Sequence, residues 1–380
     1  PIRCAGNWGN FVSRILSDGR AMARLQEIWA ELRDAGQFEP GDMRRYVENL
    51  RYEVNASQKL NFIRWPYLLQ QVHCNPRVWG SWDAEVDVVS DYAYGRVAWM
   101  DKKLNYNTLE AKNGVYQLNS PLDLATLSKL VNNGKILGKV RAVLNTDMDM
   151  AQYNDRFAPI GTESHPFKGS IDGQGHTISN LHVAGDTYVG LLGVVSSTVE
   201  LRNIHIDSSC TFERSRFVGA LVGYMADGDL TVTACSNEAS VDASVTIAGG
   251  LVGGIVSGPA VFTNCFNVGS IHAAAQAAAI IGYGDKTEIV NCYNAGIVNG
   301  SRTDKEFALS KSLKTTNCYD AQGEQVERVT TEQVKSGALC WKLNEGVIDK
   351  NGWRQNIDNT GTPDDYPVYD KTHGVVYPAD

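Results

Sequence analysis

The stretch "AGGLVGGIVSG", Ala248 to Gly258, places five glycines among aliphatic residues and carries no charge. Glycine weakens helix interiors, and the surrounding apolar runs are broken well before the ~18 residues a membrane span needs. Its core, "GLVG" (Gly250 to Gly253), has counterparts in "GLLG" (Gly190 to Gly193), "ALVG" (Ala220 to Gly223), "AIIG" (Ala279 to Gly282) and "FALS" (Phe307 to Ser310). The successive spacings are 30, 30, 29 and 28 residues. A second column follows each: "VELRNIHI", "LTVTACSNEASV", "VFTNCFNVGSI", "EIVNCYNAGIV" and "KTTNCYDAQGE". Two columns in step at this period indicate stacked supersecondary units. Each unit reads as short apolar strands between Gly and Asn turns, without helical periodicity. The expected fold is mainly β, a right-handed parallel β-helix.

In such a coil identical positions stack one turn apart, ~4.8 Å. Gly190, Gly193, Gly223, Gly250, Gly253 and Gly282 mark the structural repeat, and the small residues Gly190, Ala220, Gly250 and Ala279 are expected to let the coil turn a tight corner beside aliphatics that fill the interior. Cys235, Cys265, Cys292 and Cys318 fall in one column, 30, 27 and 26 residues apart. A metal ladder or redox chain is one reading of that column; small buried hydrophobes are the other. Stacked side chains point the same way, which suits disulfides poorly. Asn264, Asn291 and Asn317 would form one amide ladder, and Asn267 and Asn294 a second.

The chain changes character along its length. Six of its eight tryptophans lie in the first 99 residues. Residues 1–106 carry 14 basic against 13 acidic side chains, and the remainder 21 against 30. Residues 1–106 read as helical, with stripes at Met22, Leu25, Ile28 and Leu32, at Met43, Tyr46, Val47, Leu50 and Val54, and at Val86, Val89, Ala93, Val97 and Met100. Asp42 could cap the second of these helices, and Ser81 or Asp83 the third. Residues 107–160 then read as an N-terminal cap whose helix Ser120 would start, 161–322 as the repeat coil, and 323–380 as a C-terminal cap. A solenoid needs such ends because an open sheet edge invites aggregation. Pro1 follows neither Met nor a charged-then-apolar leader, so a trimmed or mature chain is expected.

Two families are resembled. The Gly-Leu-x-Gly columns, together with "PFKGSIDGQGHTISNLHV" (Pro166 to Val183), "SPLDLATLSKLVNNGK", "TTEQVKSGALCWKLNEG" and "WRQNIDNTGTPDDYPVYD", resemble the GLUG-motif family of bacterial surface proteins over about residues 115 to 378. "WGNFVSRILSDGRAMARLQEIWAELRDAGQF" and "WDAEVDVVSDYAYGRVAWMDKKL" resemble the C-terminal end of the spore-coat protein H (CotH) kinase family. That family's nucleotide and metal residues lie upstream of the matching segment, and none maps onto this chain. The GLUG likeness implies an adhesin-like protein, secreted or at a bacterial cell surface, that binds a glycan, a cell-wall component or a host ligand.

A net charge of -8, with no block of Lys or Arg, argues against nucleic acid as partner. No nucleophile-elbow, zinc-protease, phosphate-loop or dinucleotide pattern occurs in a fitting context, and no cofactor is expected. Some β-helix proteins cut polysaccharides with exterior carboxylates. The candidates here are Asp172 with His176, and Asp147 with Asp149 in "NTDMDM". Turn and strand roles account for both pairs. The aromatic pairs Trp65 with Tyr67 and Trp79 with Trp82 could stack on sugar rings or pack helices. Loops that break the period, residues 207–216 and 299–306, are the expected ligand contacts. A non-catalytic binding scaffold is the leading expectation. A kinase fragment with its catalytic half upstream, and a polysaccharide lyase or hydrolase, are the alternatives. Oligomeric state is left open.

Overall fold

The computed structural model describes residues 8–71, 77–109, 111–136, 138–300, 306–357 and 363–377, without the side chains of residues 8–12 and 40. The chain divides into two compact units, residues 1–109 and 110–380.

The first unit contains the helices α1 (Trp8–Ser17), α2 (Gly19–Asp34), α3 (Pro40–Arg64) and α4 (Trp82–Lys103). Ser81 caps α4 by accepting from the Ala84 N–H at 3.1 Å. Asp42 does not cap α3. That helix starts at proline, whose fixed φ and missing N–H suit the first turn; Glu39 is its N-cap residue, and Asp42 pairs instead with Arg45. Trp29, Val97 and Leu104 form a small core, with Met22, Leu25, Met43, Met100 and Tyr106 packed around it. Asp101 of α4 ties α2 down, accepting from Trp29 Nε1 at 2.9 Å and Arg33 Nε at 3.1 Å. Tyr46, Leu50, Val54 and Val89, read as buried stripe positions, are exposed. Beyond Met43, α3 reaches α4 through ion pairs, Arg44 with Asp91 and Arg51 with Asp87.

The second unit is a parallel β-solenoid of about seven turns, built, among the described residues, from sheets of 13, 8 and 5 strands. One turn shows the pattern. Phe217–Gly219 leads through a corner into Val222–Thr233, then Ser236–Asn237, then Ser240–Ala243. Each piece pairs in parallel with its copies before and after, for example Leu230 with Val199 and Ala260, and Val241 with Phe212 and Ile271. Inward-facing positions fill the interior: Leu201, Val232, Phe262 and Ile289 stack in one fully buried row. "DMDM" behaves as an alternating strand, with Met148 and Met150 buried and Asp149 exposed.

Leu192, Val222, Val252 and Ile281 are in register, as the repeat columns require. Ile281 then pairs with Ala308, one residue earlier than an alignment on "FALS" expects, and irregular pairing between Ala278 and Gly284 absorbs the slip. The six repeat glycines act through their size rather than through backbone conformation. None has a positive φ. They make room: a Cβ on Gly250 would lie 2.0 Å from the Ala279 carbonyl oxygen, and one on Gly253 2.5 Å from that of Gly223.

The turn after each long strand is where conformation decides residue type. Asn203, Ala234, Asn264, Asn291 and Asn317 stack in one column with φ of 53°, 54°, 54°, 55° and 51°. Asn tolerates this left-handed region, which costs other residues about 1–2 kcal/mol. Ala234 is the exception, so Ala234→Asn is expected to raise unfolding free energy by about 0.5–1 kcal/mol. Urea denaturation checks this, and a destabilised variant would refute the column's role. The expected amide ladder here is partial. Asn317 donates to Asn291, but the Asn264 side-chain oxygen is buried without a partner.

The second amide ladder is longer than expected. Asn237 donates to Asn267 at 2.8 Å, Asn267 to Asn294 at 2.9 Å, and Asn294 to Asp320 at 2.9 Å, all inside the coil. Burial pushes the Asp320 carboxyl above its usual range.

Cys210, Cys235, Cys265, Cys292, Cys318 and Cys340 are buried and unpaired as disulfides. In the column, the Cys265 N–H donates to Cys292 Sγ at 3.2 Å. Burial pushes Cys318 up to about 11 and Cys235 and Cys292 well above the ordinary thiol value. Since the thiolate is the nucleophile, these six are expected to react with an aromatic disulfide reagent only on unfolding. Rapid modification of any of them in the native protein, read by mass spectrometry, would contradict this.

At the N-terminal end α5 (Pro121–Asn132) buries Leu122, Leu124 and Leu127, and Ser120 Oγ caps it by accepting from the Asp123 N–H at 3.3 Å. At the other end Glu327–Arg328 adds a parallel strand beyond Tyr319–Asp320. A capping box of Thr330 and Gln333 starts α6 (Thr331–Lys335), and α7 (Ala338–Leu343) follows. This segment does more than close the last turn. It folds back over the outer face of the eight-stranded sheet, where Trp353, Leu339 and Val376 cover Phe266, Tyr293 and Tyr319. Among the described residues no helix is long and apolar enough to cross a membrane.

Candidate functional site

The fold-back creates a cleft. In the eight-stranded sheet Asn237, Asn267 and Asn294 point inward, so their chain neighbours Ser236, Phe266 and Tyr293 point outward by strand alternation, as does His205. Residues 364–373 run opposite this outer face. Two cavities, of about 430 Å³ and 360 Å³, share Glu238, Asp365 and Tyr366 in their walls. The first also reaches Ser208, Val268 and Lys335, and the second His205, Ser236, Asp364, Asp370 and His373.

The electrostatics follow from partial burial. Glu238 is hydrogen-bonded to the Tyr366 phenol, and burial pushes its carboxyl above the usual range. Burial likewise raises the Tyr366 phenol, which therefore stays protonated. His205 is held below its ordinary value by burial, and its Nδ1 lies 2.8 Å from Ser236 Oγ. Asp364 accepts from the Asn356 N–H at 2.6 Å, and His373 lies 3.6 Å from both Asp364 and Asp370. Lys335 pairs with Asp365 at 2.8 Å. The cleft thus offers an aromatic ring, several carboxylate acceptors and two imidazoles. This set can stack on the apolar face of a sugar and bond its hydroxyls.

The residues singled out in the sequence lie elsewhere. Asp147, not Asp172, meets His176: its Oδ1 lies 3.1 Å from Nδ1 and accepts from the Thr177 N–H at 3.0 Å. The Thr177 N–H, followed by His176, holds Asp147 below the usual carboxylate range. Asp149 accepts from Asn180 Nδ2 at 2.9 Å and the Ala151 N–H at 3.1 Å. Asp172 Oδ1 accepts from the Gln174 N–H and Asn203 Nδ2, both at 3.0 Å, and Arg202 lies 2.9 Å from Oδ2. All three carboxylates stitch neighbouring turns together, and none lines the cleft. Trp65 and Trp79 belong to the helical unit, under Arg64 at 4.8 Å and Arg77 at 3.3 Å. Residues 207–216 are not an irregular loop, since they carry the sheet strand Thr211–Glu213. Within 299–306, positions 301–305 lie outside the described residues.

Glu238, His205 and Tyr366 escaped the sequence reading because the cleft joins segments far apart in the chain. The acidic and aromatic run "DDYPVYD" was the one visible sign. Among the described residues no group of three or more His, Cys, Asp or Glu is placed to hold a metal ion.

No family model matches the chain, and no curated protein matches it. Among solved structures it is similar to that of a putative immunoglobulin A1 protease from Bacteroides ovatus. The TM-score is 0.51 at 17% identity, covering 68% of this chain and 94% of that one. At this identity the likeness establishes the solenoid fold.

Proposed function

We propose that the solenoid is a non-catalytic binding scaffold of a secreted or surface-exposed bacterial protein, and that its ligand is a glycan held in the Tyr366 cleft. The observation that carries this reading is the pair of cavities, of about 430 and 360 Å³, that share Tyr366 and Glu238. The GLUG-like columns support it, because they supply a rigid wall on which the cleft is preorganised. A glycan array probed with the full chain tests it: wild type binds at least one glycan class, and Tyr366→Ala weakens that binding at least tenfold. Binding unchanged in Tyr366→Ala would remove the cleft from the account.

One observation favours a second reading, glycoside hydrolysis. A carboxyl raised by burial that shares a cavity with other carboxyl groups is the composition of a general acid with its partner, and Glu238 shares its cavity with Asp364, Asp365 and Asp370. Product analysis separates the readings, since hydrolysis would release new reducing ends and lose them in Glu238→Gln.

A further inference from the structure

A second groove, sharing no lining residue with the Tyr366 cleft, lies beside the corner of the 13-stranded sheet. Tyr188, Phe217 and Tyr224 form an aromatic cluster there. Tyr188 stacks on Tyr224 with centroids 4.4 Å apart and planes 22° from parallel, and Phe217 lies 6.0 Å from Tyr188 and 5.5 Å from Tyr224. Gly254 makes room for Phe217: a Cβ there would come within 2.6 Å of the ring. The cluster is therefore held by packing. Next to it opens a groove of about 500 Å³, lined by Pro159, Thr162, Glu163, Ser164, Thr187 and Tyr188 among others. The Tyr188 hydroxyl donates to Glu163 Oε1 at 3.0 Å, which fixes the ring against the groove's polar rim. Burial raises the Tyr188 phenol, so that this donor persists at neutral pH.

We infer that this groove is a binding site for a neutral pyranose. Three features point to that class. Tyr188, half-buried and stacked on Tyr224 through one face, has only its other face to offer the axial C–H groups of a sugar. Thr162, Ser164, Thr187 and Glu163 line the groove with hydroxyls and a carboxylate, the Thr162 and Ser164 hydroxyls bonded to each other at 3.1 Å. Glu163 is the one charged group in the lining, so an anionic ligand is disfavoured there. The inference stands on this geometry and does not depend on the Tyr366 cleft. With both sites filled, one rigid body would engage two points of a glycan surface, and avidity would exceed either affinity.

Saturation-transfer NMR on the full chain, with the methyl pyranosides of glucose, galactose and mannose and with N-acetylglucosamine, tests the inference. At least one probe is expected to saturate, with transfer strongest to the sugar C–H protons. Measured in a Tyr366→Ala background, so that the other cleft does not contribute, Tyr188→Ala should abolish that signal and Glu163→Ala, at an exposed position, should weaken it at least fivefold. The inference is overturned if no probe saturates, if the signal survives both Tyr188→Ala and Glu163→Ala, or if glucuronate is bound better than every neutral probe.

Discussion

Trp353→Ala is expected to lower the free energy of unfolding by about 3–5 kcal/mol, the range for truncating a large core aromatic. Trp353 is wholly buried between the C-terminal segment and the outer face of the eight-stranded sheet. It meets Phe266, Tyr293 and Tyr369 edge-on at 6.0, 5.4 and 5.7 Å. Its Nε1 has no hydrogen-bond partner, so the loss is one of packing. Phe266 and Tyr293 stack on each other at 5.2 Å and would remain on the sheet, leaving the cavity on the side of the cover. The cover should loosen first, and because Asp364, Tyr366 and Asp370 belong to it, ligand binding should fall with it. Urea denaturation followed by circular dichroism, with limited proteolysis of the 345–377 region, reads both effects. A loss under about 1 kcal/mol with unchanged proteolysis would mean that the cover is not held by this core.

Asn267→Ala is expected to cost about 2–4 kcal/mol. The side chain accepts from Asn237, donates to Asn294 and donates to the Gly269 carbonyl at 3.1 Å. Removing it takes a partner from Asn237 Nδ2, Asn294 Oδ1 and the Gly269 carbonyl, though the first two keep Ala239 O and the Gly296 N–H, and each lost bond is worth about 0.5–1.5 kcal/mol beside the cavity left behind. Asn267→Asp is the sharper comparison. The shape is kept, but the donor to Asn294 is lost and two acceptors face each other. Burial would raise the new carboxyl above its unfolded value, so its protonated form is favoured in the folded state. The penalty should then shrink as pH falls, because the protonated carboxyl regains the donor. A penalty independent of pH in chemical denaturation would show that the ladder is not held by directional bonds. Asp320 occupies the same column at the ladder's end, where it only needs to accept from Asn294.

These two sites also mark how far the sequence could be read. The repeat columns located the five turns from Gly190 onward because stacking favours similar residues in one column, as the Asn and Cys rows show. Ser120 and Ser81 were legible for a local reason, since a cap needs only its own next three residues. Asp42 misled because proline at the helix start displaced the boundary. Tyr46 and Leu50 misled because periodicity identifies a face without saying what covers it. The Gly250 corner was legible as a corner, but its cause was not: the constraint is the Ala279 carbonyl one turn away. The cleft was the least legible feature. Glu238 sits on the coil and Tyr366 on the returning segment, and only tertiary folding joins them. His176 was paired with the wrong carboxylate for the same reason, because its partner Asp147 lies one turn back rather than beside it in sequence.

The central claim is that the cleft binds a glycan without cleaving it. The most direct measurement incubates the full chain with the glycans it binds on an array and follows reducing ends and product masses over time, alongside Glu238→Gln. The account predicts retained glycan, no new reducing ends and the same result for both proteins. Reducing ends that appear with wild type and vanish with Glu238→Gln would contradict it and make the cleft the active site of a glycosidase.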